Sequence, residues 1–156
     1  MYQYFTITVW VQFNGLIPSL SEEWADHPPS NLVDGIFNNF AHTPDHESGA
    51  AGYWIRVQLP DGARLIERIK IYNRYNGWHD RIVGMSVYIK DGTDNVVKKC
   101  TTIMKELEVY DIPCEGRGDT VEISKVGITL QQNIAEIQVF GTGESKARIF
   151  NFYNFA

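Results

Sequence analysis

The segment LIERIKIYNRYNGWHDRIVGMSVYIK, residues 65–90, places a polar loop between two runs in which apolar and polar side chains alternate. An alternation with a period of two is typical of a β-strand with one buried face. The loop contains Asn76-Gly77, a pair that favours a tight turn because both residues tolerate a positive φ. The segment therefore predicts two strands joined by a hairpin, with Arg74 at the end of the first strand and Arg81 at the start of the second.

The same alternation recurs along the chain and predicts an all-β protein. It is found in YFTITVWVQF (4–13), YWIRVQL (53–59), KELEVYDI (105–112), DTVEISKVGITL (119–130) and AEIQVFG (135–141). Turn-forming clusters separate these runs, namely HPPSN (27–31), PDGA (60–63), KDGTDN (90–95) and CEGRGD (114–119). No segment has a long helical stripe, although PSNLVDGIFNNF (29–40) has room for one helical turn. Short strands with turns between them predict one antiparallel β-sandwich or jelly roll spanning residues 1–156.

The composition is that of an ordinary globular domain. The chain has 156 residues, of which 44% are hydrophobic and 21% charged, enough for one domain with a buried core. The net charge of -5 and the scattered basic residues argue against sequence-independent binding to nucleic acid or anionic lipid. No run approaches the roughly 20 apolar residues of a membrane helix. The opening MYQYFTITVWVQF (1–13) lacks the basic start of a secretory signal.

The sequence predicts a binding protein and not an enzyme. It contains no nucleophile elbow, zinc-protease motif, phosphate loop or dinucleotide fingerprint, and its four histidines have no metal-ligand spacing. Adjacent acidic residues such as Glu22-Glu23 lie in a predicted loop, without an apolar setting that would raise a carboxyl pKa.

The aromatic end RIFNFYNFA (148–156) is a candidate partner for the N-terminal strand.

The loop after residue 72 carries more hydrogen-bond donors than a turn requires. Two cations at one rim, Arg74 and Arg81, need a shared acceptor. One interpretation gives that role to Asp80, in a solvated loop. The other gives it to a ligand with neighbouring hydroxyls, such as a sugar, with Trp78 or Phe40 packed on its apolar face.

A second set of residues carries oxygen donors of the kind that calcium binds. Asn31 and Asp34 lie in the polar stretch NLVDG, Thr43 follows it, and Glu136 lies in a predicted strand far along the chain. The simpler interpretation is a turn at Asp34 and a solvent-facing charge at Glu136. The residues alone leave both interpretations open. They also leave open whether Cys100 and Cys114 form a disulfide or are two buried thiols.

Five stretches together resemble the F-type lectins, the fucose-binding relatives of the discoidin-like jelly rolls. In chain order they are NLVDG (31–35), YWIRVQL (53–59), IERIKIYNRYNGWHDRIVGMSVYI (66–89), GDTVEISKVG (118–127) and IAEIQVFG (134–141). The likeness covers roughly residues 30–141. It implies a discoidin-like antiparallel jelly roll that binds terminal L-fucose on glycans and is stabilised by Ca²⁺.

The most specific part of the resemblance is a histidine followed by the pattern Arg-x-Asp-x4-Arg/Lys. Here the pattern matches Arg74, Asn76 and Arg81, with Asn76 in place of the usual Asp. The histidine is His46, eight residues before a tryptophan, with His42 as its rival. The resemblance implies that the two arginines and His46 donate hydrogen bonds to the sugar. Phe40 and Trp78 would cover the sugar's apolar edge.

One departure from the family concerns the residues after Asn76. Many members have two adjacent cysteines there, whose vicinal disulfide packs against the sugar. This chain has Gly77-Trp78 instead, so the indole either replaces that contact or obstructs the pocket. Residues 1–29 also differ from the family's usual N-terminal strand.

The resemblance also implies a set of calcium ligands and a disulfide. Asn31, Ile36 and Ala135 would contribute backbone carbonyls, whereas Asp34, Thr43 and Glu136 would contribute side chains. Cys100 and Cys114 fall where members have a disulfide, which implies an extracellular setting. A single sugar buries little surface, so we expect several copies, by oligomerisation or tandem domains, to act together. The rival is a discoidin-like module that binds another sugar, a phospholipid or a protein partner.

Overall fold

The computed structural model describes residues 9–44, 52–125 and 131–143. Within these ranges the chain forms eleven strands and two 3₁₀ helices, Pro29–Leu32 and His79–Ile82. The strands are β1 (Val9–Gln12), β2 (Ile17–Leu20), β3 (Ala41–His42), β4 (Tyr53–Gln58), β5 (Arg64–Tyr72), β6 (Ser86–Lys90), β7 (Val96–Thr102), β8 (Val109–Gly118), β9 (Thr120–Lys125), β10 (Asn133–Ile134) and β11 (Glu136–Gly143). None of the described helices is long and apolar enough to cross a membrane.

The strands form a sandwich of two antiparallel sheets. The four-stranded sheet has the order β1-β11-β5-β8, and the five-stranded sheet has the order β2-β4-β9-β6-β7. A small sheet, β10-β3, lies beside them. Every strand pairing within these sheets is antiparallel. The predicted all-β sandwich is therefore confirmed.

The core is built from the apolar side chains that alternate along the central strands. The fully buried isoleucines of the two sheets pack against each other, and they include Ile55, Ile69, Ile71, Ile89, Ile123 and Ile137. Burying one such side chain stabilises the fold by about 1.5–3 kcal/mol. β-Branched residues suit this position because their restricted rotamers fit a pleated strand.

The hairpin expected between residues 65 and 90 is wrong. β5 ends at Tyr72 in the four-stranded sheet, and β6 begins at Ser86 in the five-stranded sheet. Residues 73–85 therefore form a crossover loop between the two sheets, and the 3₁₀ helix His79–Ile82 lies within it. The alternation predicts which faces of the two strands are buried, but it carries no information about which sheet each strand joins.

The turn expected at CEGRGD (114–119) is confined to its last residue, Asp119, because β8 continues through Gly118 and β9 begins at Thr120. A Cβ atom on Gly118 would lie 2.4 Å from the carbonyl oxygen of Lys90, and one on Gly116 would lie 3.1 Å from Ile89 Cδ1. Gly118 therefore allows two backbones to approach closely, and Gly116 leaves room for the side chain of Ile89. The aromatic stretch 148–156 and the first residues of the predicted N-terminal strand lie outside the described residues.

The disulfide joins the two sheets. Cys100 lies on β7 and Cys114 on β8, which are edge strands of the five-stranded and four-stranded sheets respectively. Their Cα atoms are 5.3 Å apart, a normal separation for a disulfide. The expected Cys100–Cys114 bond is thus present and closes one edge of the sandwich.

Replacing both cysteines by alanine is expected to lower the free energy of unfolding by about 3 kcal/mol, because the bond restricts the unfolded chain. Urea denaturation followed by tryptophan fluorescence measures this difference. A thiol reductant should shift the parent curve by a similar amount and leave the double variant unchanged. A parent denaturation curve that does not change on complete reduction would contradict the expected contribution of the disulfide to stability.

Candidate functional site

The crossover loop is anchored at its start by the side chain of Asn73, which is only 5% exposed. Its Nδ2 donates hydrogen bonds to the carbonyls of His79 (3.0 Å) and Leu107 (3.1 Å). Its Oδ1 accepts one from the backbone N–H of Arg74 at 2.9 Å. The backbone N–H of Asn73 donates to the carbonyl of Glu108 at 2.8 Å. The loop is thereby tied to itself and to the segment that precedes β8.

The tip of the loop reverses direction through two residues with left-handed backbone conformations. Gly77 has a φ of 105° and Trp78 a φ of 61°. A positive φ is unusual for a tryptophan and stores strain of order 1 kcal/mol. Trp78 is 59% exposed, and the guanidinium carbon of Arg81 lies 4.4 Å from its ring centre. The reversal therefore places a solvent-facing indole against the second arginine.

Arg74 lies on a second aromatic ring. Its guanidinium carbon is 4.0 Å from the ring centre of Phe40, and its Nε donates a hydrogen bond to Asn76 Oδ1. Burial lowers the pKa of Arg74, and the positive charge of Arg81 lowers it further. Within the described ranges no carboxylate forms an ion pair with Arg74, so its two terminal amino groups remain available as donors.

Arg81 is fixed by neutral acceptors. Its Nη1 donates to Gln131 Oε1 at 2.7 Å and lies 3.3 Å from His42 Nε2. Burial lowers the pKa of His42, and the positive charge of Arg81 acts in the same direction, which favours a neutral imidazole that accepts this bond. Asp80 forms no ion pair with either arginine in the part of the chain described here. Among these residues Asp80 is therefore not the shared acceptor of the two arginines.

Two residues from the loop after β2 complete an aromatic cluster beneath the arginines. The ring of His27 stacks on Phe40 at 4.2 Å, and the ring of Trp24 meets His42 edge-on at 5.2 Å. Phe40 is buried against His27 and Arg74. Its place is therefore under Arg74, which differs from the expected place at the edge of a bound sugar. His46, the histidine expected to contact the sugar, lies outside the described residues.

The oxygen donors expected to bind calcium lie where the loop after Pro29–Leu32 meets the start of β11. Glu136 Oε2 accepts a hydrogen bond from the backbone N–H of Gly35 at 3.2 Å. Asp34 Oδ1 accepts one from the N–H of Ile36 at 2.8 Å. The Nδ2 of Asn31 donates to the carbonyl of Phe40 at 2.9 Å, which closes this loop. Residues that are a hundred positions apart in the sequence thus become neighbours.

The carboxylate of Glu136 forms no ion pair within the described ranges. Glu136 is 3% exposed. Burial raises its pKa to about 7, against the hydrogen bond from Gly35, and the negative charge of Asp34 adds to the rise. Nearby, Asn39 Nδ2 donates to Asp34 Oδ2 at 2.7 Å, while Asn39 Oδ1 is buried and has no hydrogen-bond partner among the described residues. An uncompensated carboxylate and a free amide oxygen are the donors that a hard cation takes.

Two other expected cation ligands lie next to strands, since Thr43 follows β3 and Ala135 lies between β10 and β11. The hydroxyl of Thr43 accepts a hydrogen bond from the N–H of Gln132 at 2.9 Å, and Ala135 directly precedes Glu136. Among the described residues no three His, Cys, Asp or Glu side chains form a metal-binding group. The calcium ligands expected from the sequence are not a group of this kind, because only two of them are carboxylates and the others are hydroxyl or carbonyl oxygens. Its composition therefore fits calcium better than zinc.

No family model matches the sequence, and a search of curated proteins gives no significant match. Solved structures do match. A fucose-binding module from Streptococcus pneumoniae has a TM-score of 0.70 at 21% identity, covering 81% of this chain and 91% of the module. The family 32 carbohydrate-binding module of C. perfringens NanJ, in complex with galactose, has a TM-score of 0.69 at 23% identity, covering 85% and 100% respectively. The fucolectin from striped bass (Morone saxatilis) serum has a TM-score of 0.66 at 19% identity, covering 87% of this chain and 50% of that chain.

The chain has the discoidin-like jelly-roll fold. The predicted likeness to the F-type lectins is thus confirmed at the level of three-dimensional structure. At these identities the comparisons establish the fold, and the role of the arginine loop rests on its own geometry.

The sequence alone does not indicate a role for five residues at the two sites. Asn73 and Gln131 fix the arginines, Asn39 contributes a free amide oxygen, and Trp24 and His27 complete the aromatic cluster. Asn73 was part of the polar loop but gave no sign that it is buried. Trp24 could have been noticed from the sequence, because it is a large aromatic residue in the otherwise polar stretch SEEWADHPP (21–29).

The two asparagines of the loop provide a matched test of the anchor. Asn73→Asp replaces a buried donor of two hydrogen bonds by a carboxylate that faces two carbonyls, so we expect it to lower the free energy of unfolding by about 2 kcal/mol or more. Asn76→Asp places a charge beside Arg74 on an exposed surface and should change stability by less than about 0.5 kcal/mol. Equilibrium denaturation measures both values. Equal effects of the two substitutions would show that Asn73 does not anchor the loop.

Proposed function

We propose that the protein is a lectin without catalytic activity, which binds terminal L-fucose or a similar sugar through Arg74 and Arg81. The observation that carries the proposal is the convergence of these two guanidinium groups at one loop. Each lies on an aromatic ring, and neither is paired with a carboxylate in the described ranges. The discoidin-like fold adds support, because modules that share it are named for fucose binding or were solved with galactose.

The arrangement suits a ligand with neighbouring hydroxyl groups. Each arginine would donate charged hydrogen bonds to adjacent sugar oxygens, worth about 1.5–3 kcal/mol apiece. Stacking on Phe40 and Trp78 restricts both guanidinium groups before the ligand arrives, so less entropy is lost on binding. The open part of the Trp78 ring offers a surface for the apolar edge of the sugar. His46 is proposed as a third donor on the basis of the sequence resemblance.

The small size of the ligand sets the expected affinity. One monosaccharide buries little area, so its dissociation constant should lie roughly between micromolar and millimolar. Tight attachment to a glycosylated surface would then require several sites, by oligomerisation or tandem domains. The disulfide supports an extracellular location for this activity.

We also propose that Ca²⁺ binds between the loop after Pro29–Leu32 and the start of β11. The supporting observation is the buried Glu136 carboxylate beside Asp34, with a pKa raised to about 7. The proposed ligands are the six oxygen donors expected from the sequence, on Asn31, Asp34, Ile36, Thr43, Ala135 and Glu136. The bound ion would supply the positive charge that these carboxylates lack and would hold this loop against β11.

An alternative is a discoidin-like module that docks on a phospholipid surface or a protein. One observation favours it: Tyr75, Trp78, Met104 and Leu107 are exposed apolar side chains on two loops that Asn73 ties together. The acidic net charge disfavours anionic lipid. A glycan array and a liposome sedimentation assay, both with calcium, separate the two functions.

Arg74→Ala and Arg81→Ala are each expected to weaken binding of L-fucose at least about tenfold, because each removes a charged hydrogen bond to the ligand. Isothermal titration calorimetry measures the dissociation constants. Arg117→Ala, on an exposed position of β8, is the matched control and should bind like the parent.

The melting temperatures of these three variants should remain close to that of the parent. Unchanged melting temperatures would show that weaker binding comes from the lost hydrogen bond to the sugar and not from unfolding. If both site variants retain the parent affinity for L-fucose, the arginine pair is not the sugar site.

Removing calcium is expected to lower the melting temperature and weaken fucose binding together, because the same segment carries the proposed calcium ligands and Phe40 beneath Arg74. The comparison is a thermal melt and a fucose titration on demetallated protein, with calcium and with chelator. Glu136→Gln should abolish the difference between the two conditions, whereas Glu115→Gln, on the exposed part of β8, should preserve it. Identical parent curves with calcium and with chelator would contradict the calcium proposal.

A further inference from the structure

We infer that Trp24 forms a second contact surface of the same site and packs on the saccharide unit next to the terminal sugar. This inference rests on the proposed sugar site. It assigns the protein an oligosaccharide ligand, with the terminal unit on the two arginines and the following unit on the indole of Trp24.

The first observation is a continuous row of contacts from Trp78 to Trp24. The guanidinium of Arg81 lies on the Trp78 ring, its Nη1 reaches His42 Nε2, and the ring of His42 meets Trp24 edge-on. Two exposed indoles therefore lie at the two ends of the row, with the guanidinium group of Arg81 between them. Aromatic faces beside polar donors match the mixed apolar and hydroxyl surface of a sugar chain.

The second observation is that Trp24 is held in place without being part of the core. Its side chain is 39% exposed, and it lies outside the buried hydrophobic cluster. Its backbone carbonyl accepts a hydrogen bond from the N–H of His27 at 2.9 Å, which closes a tight turn. The ring of His27 stacks on Phe40, the residue beneath Arg74. The turn that presents Trp24 is thus anchored to the arginine cluster itself.

An indole fixed beside the donors needs little ordering when a ligand arrives, so its contact contributes directly to binding. A monosaccharide on the arginines need not reach Trp24, whereas the next unit of a chain extends along the row. Trp24 should therefore contribute to the affinity for an oligosaccharide and not to the affinity for a single sugar.

The test compares two ligands, methyl α-L-fucoside and the Lewis b oligosaccharide, by isothermal titration calorimetry. For the parent, Lewis b should bind more tightly than the fucoside. Trp24→Ala should weaken Lewis b binding about five- to tenfold, the equivalent of one aromatic contact, and leave the fucoside within about twofold. Trp24→Phe keeps an aromatic face and should retain most of the Lewis b affinity. Trp78→Ala should weaken both ligands.

Trp10→Ala is the matched control, because Trp10 is a similarly exposed tryptophan on β1, paired with the far end of β11. It should change neither affinity. The inference is overturned if Trp24→Ala changes neither ligand, or weakens both equally, while the parent binds both. A parent that binds neither ligand would instead overturn the proposed sugar site.

Discussion

A single buried amide, the side chain of Asn73, holds the geometry on which the candidate site depends. It joins the start of the crossover loop to the loop's own 3₁₀ helix and to the segment before β8. The same loop carries Arg74 and Arg81, and burial together with the positive charge of Arg81 lowers the pKa of Arg74. Repulsion between them favours separation, so fixed backbone anchors and stacking on Phe40 and Trp78 are needed to keep them together. The loop therefore holds two charged donors close together, and neither has a carboxylate partner in the described ranges.

The proposed calcium site has an excess of negative charge, whereas the arginine loop has an excess of positive charge. Asp34 and Glu136 are two negative charges brought together by the loop after Pro29–Leu32, and burial raises the pKa of Glu136. The two sites are physically joined, because the Asn31 side chain bonds the backbone of Phe40, on whose ring Arg74 lies. A sugar would supply acceptors to one site and a cation would supply charge to the other. Occupation of either site should therefore help to order the other.

The sequence was informative where a physical rule acts locally. Alternation predicted the strands and their buried faces, because a strand with one face in the core must repeat every two residues. It could not distinguish a hairpin from a crossover, since the choice of sheet for β6 depends on packing with β9 and β7. Glycines at 116 and 118 indicated a turn, although their actual role is close contact between strands.

The same limit applies to the site. The spacing of Arg74 and Arg81 was visible in the sequence, whereas the burial of Asn73 and the approach of Trp24 and His27 to Phe40 arise only from tertiary structure. A resemblance placed Asp34 and Glu136 in one site, and the fold does bring their loops together. Local chemistry alone left open whether the two are cation ligands or ordinary surface charges.

The most direct test of the central claim is an NMR titration with L-fucose that follows the arginine Nε–H and tryptophan indole N–H signals. The chain contains an internal control, because Arg56 lies over Trp54 at 4.2 Å on the five-stranded sheet in a similarly stacked pair. We expect the signals of Arg74, Arg81 and Trp78 to shift and saturate while those of Arg56 and Trp54 stay constant. Saturable shifts confined to the Arg56–Trp54 pair, or no shift of the loop signals at high fucose concentration, would contradict the account.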